Sequence, residues 1–290
     1  MTDDSHSANA RDIGAKTVRP NGRFRAGSVE AMGELGGEIQ RHRSHIATIF
    51  SGEFKSASRG TWLGQFWNVI LPLVPISVYL LLVQLRVFPS YDGLDPAVYI
   101  GFNVTLWYLM VGLIQRPMTV VKHRIAETMK TALPLSVAIA SSFAQLLFDT
   151  LVRTILVIVL ILFLARWPLV HPLWLVFAVV SATIFCFSIG LILSIFNAVF
   201  ADVERVTNIL LQYGIFVSGV IFPISSMGPL AWLETYNPLA VFLSAIRSSF
   251  FFAQVPSALV LCIWSAAGLV LSAIAVRFFY VMERRIRSLV

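Results

Sequence analysis

Two charged side chains stand inside an otherwise apolar stretch, and any proton or charge chemistry there begins with them. Asp149 and Arg153 are four residues apart, a spacing that puts both on one face of a helix. They read either as an ion pair neutralising two costly charges or as a station in a proton relay. A relay needs further ionisable partners across the bundle, yet of the fifteen carboxylates only Asp149 falls within a long apolar run. The ion pair is the simpler account.

Polar and aromatic side chains also line up along two other apolar runs. Tyr99, Asn103 and Trp107 follow one another at helical spacing, and Asn208 shares a face with Gln212, with Gly219 close to it further on. Such rows either bond helix to helix or face a wet passage, and spacing alone slightly favours packing. Aromatic rings along a passage suit a sugar chain, whose apolar C–H faces slide over them while its hydroxyls bond to water or amides.

Enzyme chemistry finds little support. The five histidines, His6, His42, His45, His123 and His171, fall in tails or loops, with no H-E-x-x-H zinc pair and no G-x-S-x-G nucleophile turn. No G-x-x-x-x-G-K-[ST] phosphate loop occurs either, so uphill transport would need a motor on another chain. Cys186 and Cys262 lie in apolar runs away from any cluster with metal spacing, as small buried hydrophobes do. No metal site and no cofactor on this chain is expected.

What must position these residues is a membrane. Hydrophobic residues make up 57% of the 290 and charged residues only 13%, the balance of an integral membrane protein. The net charge of +7 does not indicate nucleic acid, because the basic residues flank apolar runs instead of forming one face. With the N-terminus inside, eighteen of the twenty-two Lys and Arg fall on the inner side, so both termini are expected in the cytoplasm.

The expected architecture is all-α with six transmembrane helices: Trp62–Val87, Ala97–Gln115, Ser136–Ala165, Pro172–Phe200, Val206–Pro223 and Pro256–Tyr280. Pro72 and Pro75 predict a kink in the first, and Trp62 and Trp67 sit where it would cross the headgroup layer. The first apolar run begins too late for a cleaved leader. Residues 1–37 read as a polar cytoplasmic tail and 281–290 as a short basic one. Between the tail and the first span, Glu38–Ala57 carries Ile39, His42, Ile46, Ile49, Phe50 and Phe54 at helical spacing, with Arg41 and Arg43 elsewhere. It reads as an amphipathic helix on the inner membrane surface or as a helix docking on a partner.

Two connections depart from plain loops. Residues 121–135 are basic at their start, with Ile125, Thr128, Met129 and Ala132 on one helical face, which predicts a short helix parallel to the membrane. Residues 224–255 are apolar and aromatic but broken by Pro229 and Pro238, which predicts a re-entrant helical hairpin before the last span.

These pieces form a pattern. Leu63-Gly64-x-x-Trp67 followed by Pro72-Leu73, the loop ending Lys130-Thr131-Ala132-Leu133-Pro134-Leu135, and the distal run from Ala201-Asp202-Val203 through Phe222-Pro223 to Asn237-Pro238 and Arg247 resemble the membrane permease of a polysaccharide-exporting ABC transporter, the type serving O-antigen, teichoic acid, capsule or galactan export. The resemblance covers Glu38 to the C-terminus. It implies a bacterial inner-membrane permease domain over 58–280, working as two copies of itself with two copies of a nucleotide-binding ATPase that carries ATP and Mg. Residues 38–57 become an interface or gate helix, with Arg41, Arg43, Phe50 and Phe54 as its candidate contacts.

Residues 121–135 become the coupling helix, with Lys122, Arg124, Glu127, Met129, Lys130 and Leu133 as candidates for seating in the ATPase. A lipid-linked polysaccharide would pass through a channel lined by the first, second and fifth spans, so Trp62, Phe66, Tyr79, Tyr99, Asn103, Trp107, Asn208, Gln212, Tyr213 and Phe216 are its candidate lining. Relatives often carry Arg-Asp where this chain has Ala201-Asp202, and Ser-Pro where it has Ser218-Gly219. A permease of similar fold moving a small lipid or drug, and a membrane-embedded glycosyltransferase or acyltransferase, are the alternatives.

Overall fold

The computed structural model describes residues 27–56, 62, 64–87, 93–131, 133–164, 167–255 and 257–289; side chains at 65, 125–132, 225–227, 284 and 286–289 lie outside that description. Among the described residues the chain is helical, with an isolated bridge between Leu169 and Phe252. Five helices are long and apolar enough to cross a membrane: α3 (Trp67–Gln84), α4 (Pro96–Thr131), α5 (Leu135–Phe163), α6 (Pro172–Val199) and α10 (Ala258–Leu289). α1 (Ser28–Arg41) and α2 (Arg43–Ser56) precede them, and α7 (Asp202–Val217), α8 (Leu233–Tyr236) and α9 (Pro238–Phe251) stand between α6 and α10.

α4 and α6 form the centre. Their backbones meet closely because position 190 has no side chain: a Cβ on Gly190 would lie 2.5 Å from the Leu113 carbonyl oxygen. α5 and α10 pack on either side of this pair and α3 on the rim, which leaves α3 largely uncovered and α4 largely buried. Wide apolar faces on α3, α5 and α10 have no protein over them, as lipid-facing helices require. α9 is fastened to α4 by aromatic packing, with Phe102 5.1 Å from Phe250 and 5.0 Å from Phe251 between ring centroids.

Several boundaries differ from the sequence expectation. The second span and the 121–135 segment are one continuous helix through Thr131, not a span followed by a separate helix. Pro117 lies inside this helix, and membrane helices tolerate an internal proline where neighbouring groups re-satisfy the backbone it frees. The expected tail up to Gly37 is helical from Ser28, because Ala31 packs against Tyr280 of α10. The 38–57 helix is divided at His42 between α1 and α2, and Ala57 lies outside the described residues. α10 runs on to Leu289, so 281–289 is helical in continuation of the last span. In the first span the helix starts at Trp67 after a short 3-10 turn at Gly64–Phe66.

The fifth expected span is the largest departure. α7 has 16 residues, about 24 Å at the usual rise, short of the roughly 30 Å of hydrocarbon. It stops because Ser218 leaves helical geometry and Gly219 follows at φ +74°, a left-handed position that closes helices and suits glycine. From Ser218 the chain runs through a turn and the 3-10 segment Ile224–Leu230 into α8 and α9.

Candidate transport face and its anchors

α7 is two-faced. Thr207, Leu211 and Ile215 are buried against the bundle, while Asn208, Gln212, Tyr213 and Phe216 are exposed along the opposite side. Two amides and two aromatic rings thus share one open surface. Beneath it lie Tyr99, Asn103 and Trp107, all buried. Trp107 meets the backbone of α7 at Gly214, where a Cβ would come within 3.1 Å of the indole. The row on α4 is therefore the seat on which α7 rests, and in this chain it is packed and not open. Sequence spacing gave the two rows equal standing; burial separates them.

The end of α7 at Val217 is held by a web of side chains on backbone carbonyls. Tyr99 Oη donates to Gly219 O at 3.3 Å, and Asn103 Nδ2 donates to Val220 O at 3.2 Å and to Gly219 O at 3.5 Å. Arg247 of α9 adds Nη1 to Gly219 O at 3.5 Å, with its guanidinium 4.8 Å above the Tyr99 ring, a cation–π contact. Asn237 donates to Val217 O at 3.1 Å and accepts from the Leu239 backbone N–H at 3.1 Å, so it also caps α9. These groups satisfy carbonyls that a helix end leaves without partners. The sequence reading used Asn237-Pro238 and Arg247 only as motif residues and missed that they meet, with Gly219, at the end of α7.

The opposite end of α7 is held by polar pairs to α4, one half-buried and one exposed. Lys122 Nζ lies 2.6 Å from Glu204 Oε2, and Gln115 Nε2 donates to Asn208 Oδ1 at 2.8 Å. The hydrogen bond from Lys122 holds the Glu204 carboxyl below the usual carboxylate range. Asp202 and Glu204 also sit in the first turn of α7, where the helix dipole favours negative charge.

The same end carries α1 and α2. Arg124 of α4 pairs with Glu53 of α2. Asn68 Nδ2 of α3 donates to Phe54 O at 2.9 Å, and the Phe54 ring meets Phe148 of α5 edge-on at 5.1 Å. Phe50 lies 6.1 Å from Phe54, and Arg41 and Arg43 are exposed. Two carboxylates with no sequence signature hold the start of α5: Glu283 of α10, itself buried, accepts from the Leu135 N–H at 3.0 Å, and Glu38 of α1 accepts from Ser136 Oγ at 2.9 Å. Of the coupling candidates, Lys122 and Arg124 are thus engaged within the chain and Leu133 is half-buried. The side chains of Glu127, Met129 and Lys130 lie outside the described ones.

The expected pair of Asp149 with Arg153 is replaced by another. Asp149 Oδ2 lies 2.7 Å from Arg116 Nη2 of α4, and Gln145 Nε2 donates to its other oxygen at 3.1 Å. Arg153 instead turns to α3 and α4: its Nε donates to Pro72 O at 2.9 Å and its guanidinium lies 4.9 Å from the Tyr108 ring centroid. A neighbouring helix supplies a basic partner that the sequence placed in a loop, and Arg153 is freed to brace the segment around Pro72 and Pro75. Trp62 and Phe66 are exposed and Tyr79 is half-buried against the core. No group of three or more His, Cys, Asp and Glu with metal-binding geometry occurs among the described residues.

A core of helices built on α4 and α6, with broad lipid-facing surfaces and a separately anchored polar helix, is the build of a membrane transport subunit. Residues 44–251 match the family model described as ABC-2 type transporter, and the chain belongs to that family. It is a multi-pass membrane protein and a transporter's membrane subunit. Among curated proteins it is similar to the "O-antigen export system permease protein RfbA" of Myxococcus xanthus, 22% identical over 238 residues that cover 81% of this chain and 90% of the relative. It is also similar to the protein of the same name from Klebsiella pneumoniae, 22% identical over 208 residues, 71% of this chain and 79% of the relative.

Proposed function

We propose that this chain is the channel-forming subunit of an ATP-driven exporter that moves a lipid-linked polysaccharide out across the bacterial cytoplasmic membrane. The observation that carries the reading is the open face of α7 in a chain of this family: Asn208, Gln212, Tyr213 and Phe216 pair amides with aromatic rings, the combination a sliding glycan needs. Both relatives named above are O-antigen export system permease proteins by name, and they are covered along most of their length.

In the working unit two copies of the chain face one another across the channel, each presenting α7 and the exposed side of α3 with Trp62 and Phe66. α7 together with the turn after Val217 makes the sixth crossing, the 224–255 segment folds back as a re-entrant hairpin at the outer side, and both termini are cytoplasmic. Two ATPase subunits supply ATP and Mg, and the end of α4 around Glu127, Met129, Lys130 and Leu133 seats in them. Its displacement reaches α7 through Lys122 and Glu204, and α2 through Arg124 and Glu53.

The test is ATP-dependent export of glycan by the chain reconstituted with an ATPase subunit that co-purifies with it. Export that requires both chains and fails with Tyr213→Ala at unchanged thermal stability is the expected result. A deletion strain that still displays its surface glycan, or transport by the isolated chain without an ATPase, would overturn the reading in favour of a small-lipid or drug permease.

A further inference from the structure

A cavity of about 290 Å³ opens between the α8–α9 segment and the start of α10. Its size is at the lower edge of the roughly 300–1,000 Å³ of small-molecule sites, room for one small polar unit and not for a polymer. Its lining includes Glu234 and Thr235 of α8, Ser244 of α9 and Ser257 just before α10, over a floor of Val241 and Leu261. The side chains of Glu234, Ser244 and Ser257 make no hydrogen bond or ion pair to any other described residue. A carboxylate and two hydroxyls therefore face one small space with their hydrogen-bonding capacity unspent, while an apolar patch lies under them.

That pairing has a chemical counterpart in a pyranose, which carries hydroxyls around its edge and apolar C–H groups on its faces. A carboxylate accepts from adjacent sugar hydroxyls, and serine hydroxyls both donate and accept. Aromatic rings stand close in the chain. Trp232 and Tyr236, exposed and 6.2 Å apart between ring centroids, are on or beside the same short helix, and Trp264 Nε1 fixes α10 to Thr235 O at 3.1 Å. The site lies at the end of the bundle where α7 stops and α4 begins, opposite α1 and α2, which is the outer side in the orientation proposed above.

We propose that this cavity is a sugar-binding subsite that takes one pyranose unit of the emerging glycan, with Glu234 as the principal hydrogen-bond acceptor and Ser244 and Ser257 completing the ring of polar contacts. The inference rests on the glycan-export reading and adds to it an outer holding point separate from the α7 face. Bound there, a sugar unit slows return of the chain between strokes.

The experiment is saturation-transfer NMR of the full chain in lipid nanodiscs, free of maltoside detergent, with the methyl glycosides of galactose, mannose and rhamnose as probes and phosphocholine as the competing headgroup. Expected is transfer to at least one glycoside, weakened at least about tenfold by Glu234→Gln, the size of a lost hydrogen bond to a charged group, and abolished by Ser244→Trp, which fills the cavity. Transfer to phosphocholine alone, or glycoside binding unaffected by Glu234→Gln, overturns the proposal. Glu234 is exposed, so its substitution tests the site even where Ser244→Trp fails to fold. If no glycoside binds while a deletion strain loses its surface glycan, only the subsite falls; if the deletion strain keeps that glycan, the export reading falls with it.

Discussion

The two ends of α7 are built from different chemistry. At the Val217 end, Tyr99, Asn103, Asn237 and Arg247 converge on backbone carbonyls, and three of the four are buried or nearly so. At the Asp202 end, Lys122 and Gln115 reach Glu204 and Asn208 close to the surface. Hydrogen bonds buried from water are costly to leave unmade, whereas an ion pair that water still reaches, as at the half-buried Lys122–Glu204, contributes less and is partly screened by salt. The helix is therefore fixed at one end and lightly latched at the other, the arrangement of a lever whose latch is within reach of α4.

The largest effect should come from breaking the fixed end. Arg247→Ala removes a charged donor and its stacking on Tyr99, and a loss of about 2–3 kcal/mol is expected. Thermal unfolding in nanodiscs checks it, and the loss should be the same in low and high salt. Gly219→Ala comes next: a side chain at φ +74°, 3.3 Å from Ile224, should cost about 1–2 kcal/mol by forcing a left-handed residue. A stability change for Gly219→Ala that exceeds that of Arg247→Ala would reverse the ranking and make the turn, not the side-chain web, the true anchor.

The latched end should respond less in stability and more in transport. Lys122→Ala is expected to cost under about 1 kcal/mol, and the difference should shrink in about 1 M salt, where screening acts within a few ångströms. ATP-dependent export should nonetheless fall clearly, because the link from α4 to α7 is cut. A Lys122→Ala protein with full export would show that α7 is driven by some other contact.

The smallest effect is the pH dependence of the latch. Glu204 has a lowered pKa in the folded chain, so its contribution is fully present above the unfolded carboxylate range, near pH 4.3, and is lost as pH falls through the lower folded value. The stability difference between the wild type and Glu204→Gln should thus be flat at neutral pH and disappear only below about pH 4. A difference that changes between pH 6 and 8 would mean another group, and not Glu204, titrates at this contact.

Long apolar runs gave α3, α5, α6 and the apolar part of α10 nearly in place, because a helix that must satisfy its own backbone in lipid needs about 20 apolar residues and little else. Pro72 and Pro75 were rightly put inside the first of these helices. The helical stop at Ser218-Gly219 was readable as a left-handed closing signal, yet the apolar residues after it masked it. The continuation of α4 past Gln115 was missed, because the cluster of Arg116, Lys122 and Arg124 ends the apolar run while the helix itself runs on through it.

Composition, periodicity and charge bias by themselves determined that this is a helical membrane protein, and the order of its motifs pointed to a transport permease without a motor of its own. Partner choice was decided only in three dimensions. Asp149 joins Arg116 and leaves Arg153 to Pro72 and Tyr108, and Asn103 disappears beneath α7 while Gln212 stays open. Helical spacing fixes which side chains share a face, but which neighbour that face meets depends on helix rotation and packing across more than a hundred residues of sequence, and no local pattern encodes it.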